Sequence, residues 1–196
     1  MDNFKIILAS ASPRRKQLLE LIGINKYEVI VSDIEEIIDS NLNIEKQVER
    51  LSYQKAKEAY NKTQGNRIVI GADTIVEKNN KIYGKPRDKK EAINMLQRFS
   101  GSSVNVITAI SVLISQEGKE IEKIEHDIAK VYIKEMSNEE IIKWINSGEA
   151  LDKAGAFAVQ GKFCVHIKKI NGNYTTIMGL PTHKLYDILK EYIKDL

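Results

Sequence analysis

The strongest constraint on the fold is an apolar run that passes straight into a helix start. Lys5 is followed by Ile6-Ile7-Leu8 and then by Ala9-Ser10-Ala11-Ser12-Pro13. Phe4 to Ala9 reads as a buried strand. Pro13 to Ile22 reads as a helix with Ser12 as its cap and Pro13 as its first residue, stopped by Gly23. The same mixture continues along the chain. Strands are expected at Tyr27–Val31, Arg67–Ile70, Val104–Ile114 and Glu120–Lys134, and a hairpin at Ile75–Tyr83 turning on Asn79-Asn80. Helices are expected at Ile44–Tyr60, at Lys89–Phe99 capped by Asp88, from the capping box Ser137-Asn138-Glu139-Glu140 to Ile145, and at Thr182–Ile193. Phe163–Ile170 and Tyr174–Met178 read as two strands pairing around Asn171-Gly172. Residues 33–43 read as a polar loop or short helix. Strands and helices mix without strict alternation. The expected fold is therefore α/β, a mixed twisted central sheet with flanking helices, in one domain over residues 1–196.

Composition excludes several classes. Hydrophobic residues make up 42% and charged residues 29% of 196 residues, ordinary values for a globular protein. There are 30 basic and 27 acidic side chains, a net charge of +3, and no block of five or six like charges. That is too small an excess for a nucleic-acid footprint, so anion binding must come from a few placed cations. The one cysteine, Cys164, excludes a disulfide framework and is expected to be a small buried hydrophobe. Ile6-Ile7-Leu8 is shorter than the roughly 7–15 apolar residues of a signal-peptide core. Val106–Ile114 is shorter than the roughly 20 residues that span a bilayer. A cytoplasmic protein without membrane contact is expected.

Five places could carry chemistry. Past Ser10 and Ser12, Arg14 and Arg15 put two cations at the positive end of a helix dipole, where acids normally stand. A bound anion would remove that conflict, and guanidinium suits phosphate oxygens. Lys55 lies near the centre of the stripe Val48, Leu51, Ser52, Lys55, Ala59. Its ammonium needs a partner or a cleft, or else must reach out along its stem. In Ile68-Val69-Ile70-Gly71-Ala72-Asp73-Thr74, an apolar strand ends at small residues and presents a carboxylate and a hydroxyl. Asp73 could hold a divalent ion or take a proton from water. Gly84-Lys85-Pro86 offers an ammonium on a rigid turn. Asp152 to Gly161 is rich in small residues that let backbone approach a ligand, and the Gln160 amide could read a base edge. His126, His166 and His183 show no ligand spacing. Walker A, Rossmann glycine and serine-hydrolase signatures are missing.

Taken in order, Ser10-x-Ser12-Pro13-Arg14-Arg15, Lys55-Ala56, Gly71-Ala72-Asp73-Thr74, Gly84-Lys85-Pro86 and Met178-Gly179-Leu180-Pro181 resemble the Maf family of nucleotide pyrophosphatases, from Ile7 to about Leu185. The resemblance implies a homodimer of α/β protomers, each with a cleft between two lobes, as in inosine triphosphate pyrophosphatase-like folds. It also implies hydrolysis of a nucleoside triphosphate between its α- and β-phosphates with Mg²⁺ or Mn²⁺. Asp73 matches the family's proton acceptor, while Arg14, Thr74 and Gln160 match positions linked to substrate choice. Asp152-Lys153-Ala154-Gly155-Ala156-Phe157 with Gln160-Gly161 is similar to the branch acting on dTTP and UTP. Val104 replaces a common histidine, and Phe157 a common tyrosine.

On this reading Arg14, Arg15, Lys55 and Lys85 neutralise the polyphosphate and Ser10 lies in the substrate loop. Asp73, helped by Glu35, positions the metal and the attacking water, and Thr74 and Gln160 contact the base. Glu35 reads equally well as part of a solvated acidic loop. The competing expectations are the 7-methyl-GTP branch, an inosine triphosphate pyrophosphatase, and a non-catalytic nucleotide-binding regulator of cell division.

Overall fold

Seven strands and six α-helices occur in the computed structural model, which describes residues 4–34, 37, 39, 41–194 and 196. The strands are β1 (Lys5–Leu8), β2 (Glu28–Val29), β3 (Arg67–Lys78), β4 (Lys81–Tyr83), β5 (Ser103–Gln116), β6 (Lys119–Ile133) and β7 (Ile167–Asn171). The helices are α1 (Pro13–Leu21), α2 (Ile44–Asn61), α3 (Lys89–Phe99), α4 (Asn138–Asn146), α5 (Tyr174–Met178) and α6 (Thr182–Leu189). The sheet order is β2-β1-β3-β5-β6-β7, with β4 beside β3. β1 pairs in parallel with β2 and β3, whereas β3–β4 and β6–β7 are antiparallel, so the sheet is mixed as expected.

The chain divides into two compact units. The first comprises residues 1–73, 108–127 and 178–196, and the second residues 74–107 and 128–177. In the first, Ile7, Ala9, Val69 and Leu113 of the sheet pack against Ala56, Ala59 and Tyr60 of α2. α2 has its own cap, since Asn43 accepts the Lys46 N–H at 2.8 Å. In the second, Leu96 and Phe99 of α3 and Trp144 and Ile145 of α4 join Val104, Val106, Val131 and Phe163 in one core. Its helix starts follow the sequence. Asp88 accepts the Glu91 N–H at 2.7 Å, and Ser137 with Glu140 forms both bonds of a capping box.

Five local expectations are corrected. The strand read as ending at Ile70 continues through Asp73 to Lys78 before turning at Asn79-Asn80, both of which have positive φ. Ser12 caps α1 by position only; its side chain makes no cap bond, and its N–H donates to Ser10 Oγ at 3.3 Å. Phe163–His166 is a 3₁₀ turn and Tyr174–Met178 is a helix, not a pair of strands. The reason is packing: Phe163 turns fully inward against Trp144, while Val165 faces solvent and only Ile167 onward finds a strand partner in β6. Cys164 lies in that turn and is exposed, so it is not a core side chain. Lastly, α6 stops at Leu189, short of the expected Ile193.

Candidate active site

The site begins where β1 ends beside β3, which runs on. β1 and β3 are in register at Leu8↔Ile70, and the Ala9 N–H donates to the Ile70 carbonyl at 2.8 Å. Two residues further on stand Ser10 on one chain and Ala72 on the other, with Asp73 next. Asp73 thus lies within β3 but beside the carboxyl end of β1, the kind of place where α/β sheets present ligand-binding groups.

Gly71 sets the distance between β3 and α2. A Cβ there would collide with the Ser52 carbonyl oxygen and stand 2.7 Å from the Ala56 nitrogen, so only glycine lets the helix backbone lie directly on the strand. Beneath this contact the Ser52 and Ser111 hydroxyls share a buried hydrogen bond of 2.7 Å. The close approach carries Lys55, one turn along α2, to the middle of β3, where its Nζ lies 2.5 Å from Asp73 Oδ1. The two side chains are 14% and 7% exposed. Lys55 therefore finds a partner, which is one of the solutions a cation in an apolar stripe requires.

Arg15 organises the loop between β1 and α1. Its Nε donates to the Gly179 carbonyl at 2.8 Å and its Nη1 to Ser10 Oγ at 3.1 Å. This ties the Ser10 block to the Met178-Gly179-Leu180-Pro181 block, 164 residues away in sequence. Arg14, beside it, is half-buried.

Lys85, Thr74 and Gln160 belong to the second unit. Thr74 is half-buried on β3, directly after Asp73. Lys85 is exposed and lines an open groove of about 410 Å³, along with Lys81, Arg87, Lys90 and Arg98. The Gly155 N–H donates to the Gly84 carbonyl at 2.9 Å, which joins the Gly84-Lys85-Pro86 turn to the segment leading to Gln160. Gly155 has φ +67, and a Cβ there would meet Val76 at 3.0 Å and Phe99 at 3.2 Å. Gln160 itself is exposed. Glu35 lies outside the described residues.

The structure thus brings Lys55 to Asp73 and Arg15 to Ser10 in one unit, and the Lys85 turn to the Gln160 segment in the other. The arrangement resembles a phosphate site in charge and donor type, and one family profile decides its ancestry. The profile described as "Maf-like protein" matches residues 5–192. The chain belongs to the Maf family. It is 45% identical to the dTTP/UTP pyrophosphatase of Alkaliphilus oremlandii (strain OhILAs) over 188 residues, 96% of either chain. It is 43% identical to the dTTP/UTP pyrophosphatase of Lachnoclostridium phytofermentans, over 98% of each. It is 44% identical to that of Aquifex aeolicus (strain VF5), over 95% of each.

Sequence reasoning alone did not reach several polar contacts of this Maf chain. The Gly179 carbonyl has no side-chain signal. Ser111 sits in a plain apolar strand. His126, which shows no ligand spacing, meets Glu49 at 2.7 Å, and His183 stands 3.9 Å from Asp127. A polar residue on the helix face opposite a strand histidine was the available sign of the first pair, but it needed the register between α2 and β6.

Proposed function

We propose that this chain hydrolyses dTTP and UTP to the nucleoside monophosphate and pyrophosphate. The observation that carries the reading is the Lys55–Asp73 pair: a carboxylate 7% exposed, within β3 just past its register with β1, fixed by an ammonium 2.5 Å away. A buried charge pair is a poor stabiliser and a good chemical device. The preference for thymine and uracil is taken from relatives 43–45% identical over nearly the full chain.

Asp73 accepts a proton from the attacking water as its oxygen bonds to phosphorus. The bridge between the α- and β-phosphates breaks, and the electron pair leaves on pyrophosphate. Lys55 holds Asp73 Oδ1 so that the carboxylate keeps one orientation. Arg14, Arg15 and Lys85 offset the charge of the triphosphate and of the leaving group. Ser10 contributes a hydroxyl to the phosphate loop, and Thr74 and Gln160 contact the base.

Mg²⁺ or Mn²⁺ suits this donor set. Such ions are commonly held by one or two carboxylates together with substrate phosphate oxygens, and Asp73 could supply one such carboxylate. No group of three His, Cys, Asp or Glu side chains that could hold an ion by itself occurs among the described residues. We assign Asp73, with Glu35, as the protein ligands; the ion, when bound, would offset negative charge on the phosphoryl oxygens.

No helix among the described residues is long and apolar enough to cross a membrane. With a net charge of +3, a nucleic-acid substrate is disfavoured over a mononucleotide. We read the protein as cytoplasmic, from its short apolar runs, and its working form as a homodimer, following the family resemblance.

The test is pyrophosphate release from dTTP, UTP, 7-methyl-GTP and ITP with Mg²⁺ and with Mn²⁺, for the wild type and Asp73→Asn. The two pyrimidine nucleotides should be preferred, and Asp73→Asn should abolish turnover with the fold intact. Near-full release by that variant, or preference for 7-methyl-GTP, would overturn the reading.

A further inference from the structure

The backbone between Lys153 and Phe157 is held in an unfavourable conformation by one indole. Gly155 and Ala156 both have positive φ, at 67° and 59°. Glycine accepts that region freely, whereas alanine brings its Cβ against its own backbone. Ala156 is fully buried, and its carbonyl accepts a hydrogen bond of 2.8 Å from Trp144 Nε1 on α4. The neighbouring peptide groups are tied as well. The Gly155 N–H donates to the Gly84 carbonyl at 2.9 Å and the Ala156 N–H to the Lys153 carbonyl at 3.0 Å. The turn is thus anchored to the Lys85 loop on one side and to α4 on the other, and Gln160 follows four residues later.

Removing the indole N–H would leave the Ala156 carbonyl buried without that donor. Rotation of the 156–157 peptide would then relieve both the unmade bond and the left-handed strain at Ala156. That rotation would re-aim Phe157 and the chain leading to Gln160. We propose that Trp144 is a positioning residue for base selection. Its indole N–H fixes the Ala156 carbonyl and so holds Gln160 in the arrangement that favours a pyrimidine triphosphate. Trp144 touches no substrate in this role. The inference rests on the reading of Gln160 as a base contact given above.

The experiment compares kcat and KM for dTTP and ITP, together with the urea midpoint, in four proteins. These are the wild type, Trp144→Phe, Trp144→Phe with Ala156→Gly, and a wild-type sequence carrying β-(3-benzothienyl)alanine. The last is clean because the chain has one tryptophan, and sulfur replaces the N–H with the ring shape kept. The benzothienyl protein and Trp144→Phe should each lose about tenfold in the dTTP-to-ITP ratio of kcat/KM, mainly through KM for dTTP. Ala156→Gly, which takes positive φ without strain, should restore most of that ratio in the Trp144→Phe background. A role in packing alone would lower the urea midpoint and leave the ratio unchanged. An unchanged ratio in the benzothienyl protein overturns the proposal, whether or not Trp144→Phe folds. A wild type that releases no pyrophosphate from any nucleotide removes the enzymatic reading, and this inference with it.

Discussion

Lys55 Nζ lies 2.5 Å from Asp73 Oδ1, and the two side chains come from a helix and a strand that touch backbone to backbone at Gly71. Both groups are largely withdrawn from water, so neither is easily lost alone. Lys55→Met should leave a buried carboxylate without this counter-ion and cost roughly 3–5 kcal/mol of unfolding free energy. Adding Asp73→Asn should recover part of that loss, because the residual charge is then gone. Urea denaturation of the single and double variants checks both statements. Additive losses would mean the pair is not coupled.

The Gly71 contact makes a sharper claim about geometry. Gly71→Ala adds one methyl group that meets backbone atoms of Ser52 and Ala56, and neither can swing aside as a side-chain end could. Overpacking of this kind costs about 1–3 kcal/mol and pushes the two elements apart. The expected result is a lower urea midpoint together with a fall in kcat/KM, since Lys55 and Asp73 ride on the separated elements. A variant with wild-type midpoint and turnover would show that the close approach is not required.

Arg15 holds two acceptors with one planar fork, Ser10 Oγ and the Gly179 carbonyl. Lysine carries a point charge at the end of a flexible stem and cannot reproduce that geometry. Arg15→Lys keeps the charge, yet should lose about 1–3 kcal/mol of stability through the unmade charge-assisted bond. Calorimetry against the wild type measures it. An unchanged melting temperature would show that the fork contributes charge only.

Glu49 links α2 to β6 through His126 and is itself bonded by Lys46. Burial alone would raise its carboxyl pKa, but the hydrogen bonds from Lys46 and His126 outweigh burial and hold it below the ordinary value of 4.5. A carboxyl depressed in the folded state binds fewer protons there than in the unfolded chain. Its stabilising contribution is therefore complete above about pH 4.5 and fades as pH falls through the depressed folded value. The stability gap between wild type and Glu49→Gln should be constant near neutrality and narrow below pH 4.5. A gap that stays constant into that range would remove Glu49 from the acid response.

Sequence carried far where a local rule acts alone. Asp88 and Ser137 cap their helices as their spacing requires, and the buried stripe on α2 marked Lys55 as a cation in need of a partner. The loss of legibility began where tertiary packing decides. Phe163, Val165 and Ile167 alternate like a strand, but Phe163 is drawn into the core by Trp144 and Phe157, and the chain winds into a 3₁₀ turn around it. Gly71 looked like the end of a strand because glycine often marks one; here it marks the approach of a helix, and β3 runs on to Lys78. The Gly179 carbonyl and the left-handed Ala156 leave no trace in residue type, so the bonds from Arg15 and Trp144 needed coordinates to appear.

The central claim is a choice of bond, and product analysis tests it most directly. Incubation of the protein with dTTP and Mg²⁺, followed by separation of nucleotides and quantification of both inorganic products, should give dTMP and pyrophosphate in equal amounts, with no dTDP at early times. Accumulation of dTDP with orthophosphate would place cleavage at the terminal phosphate and contradict the account.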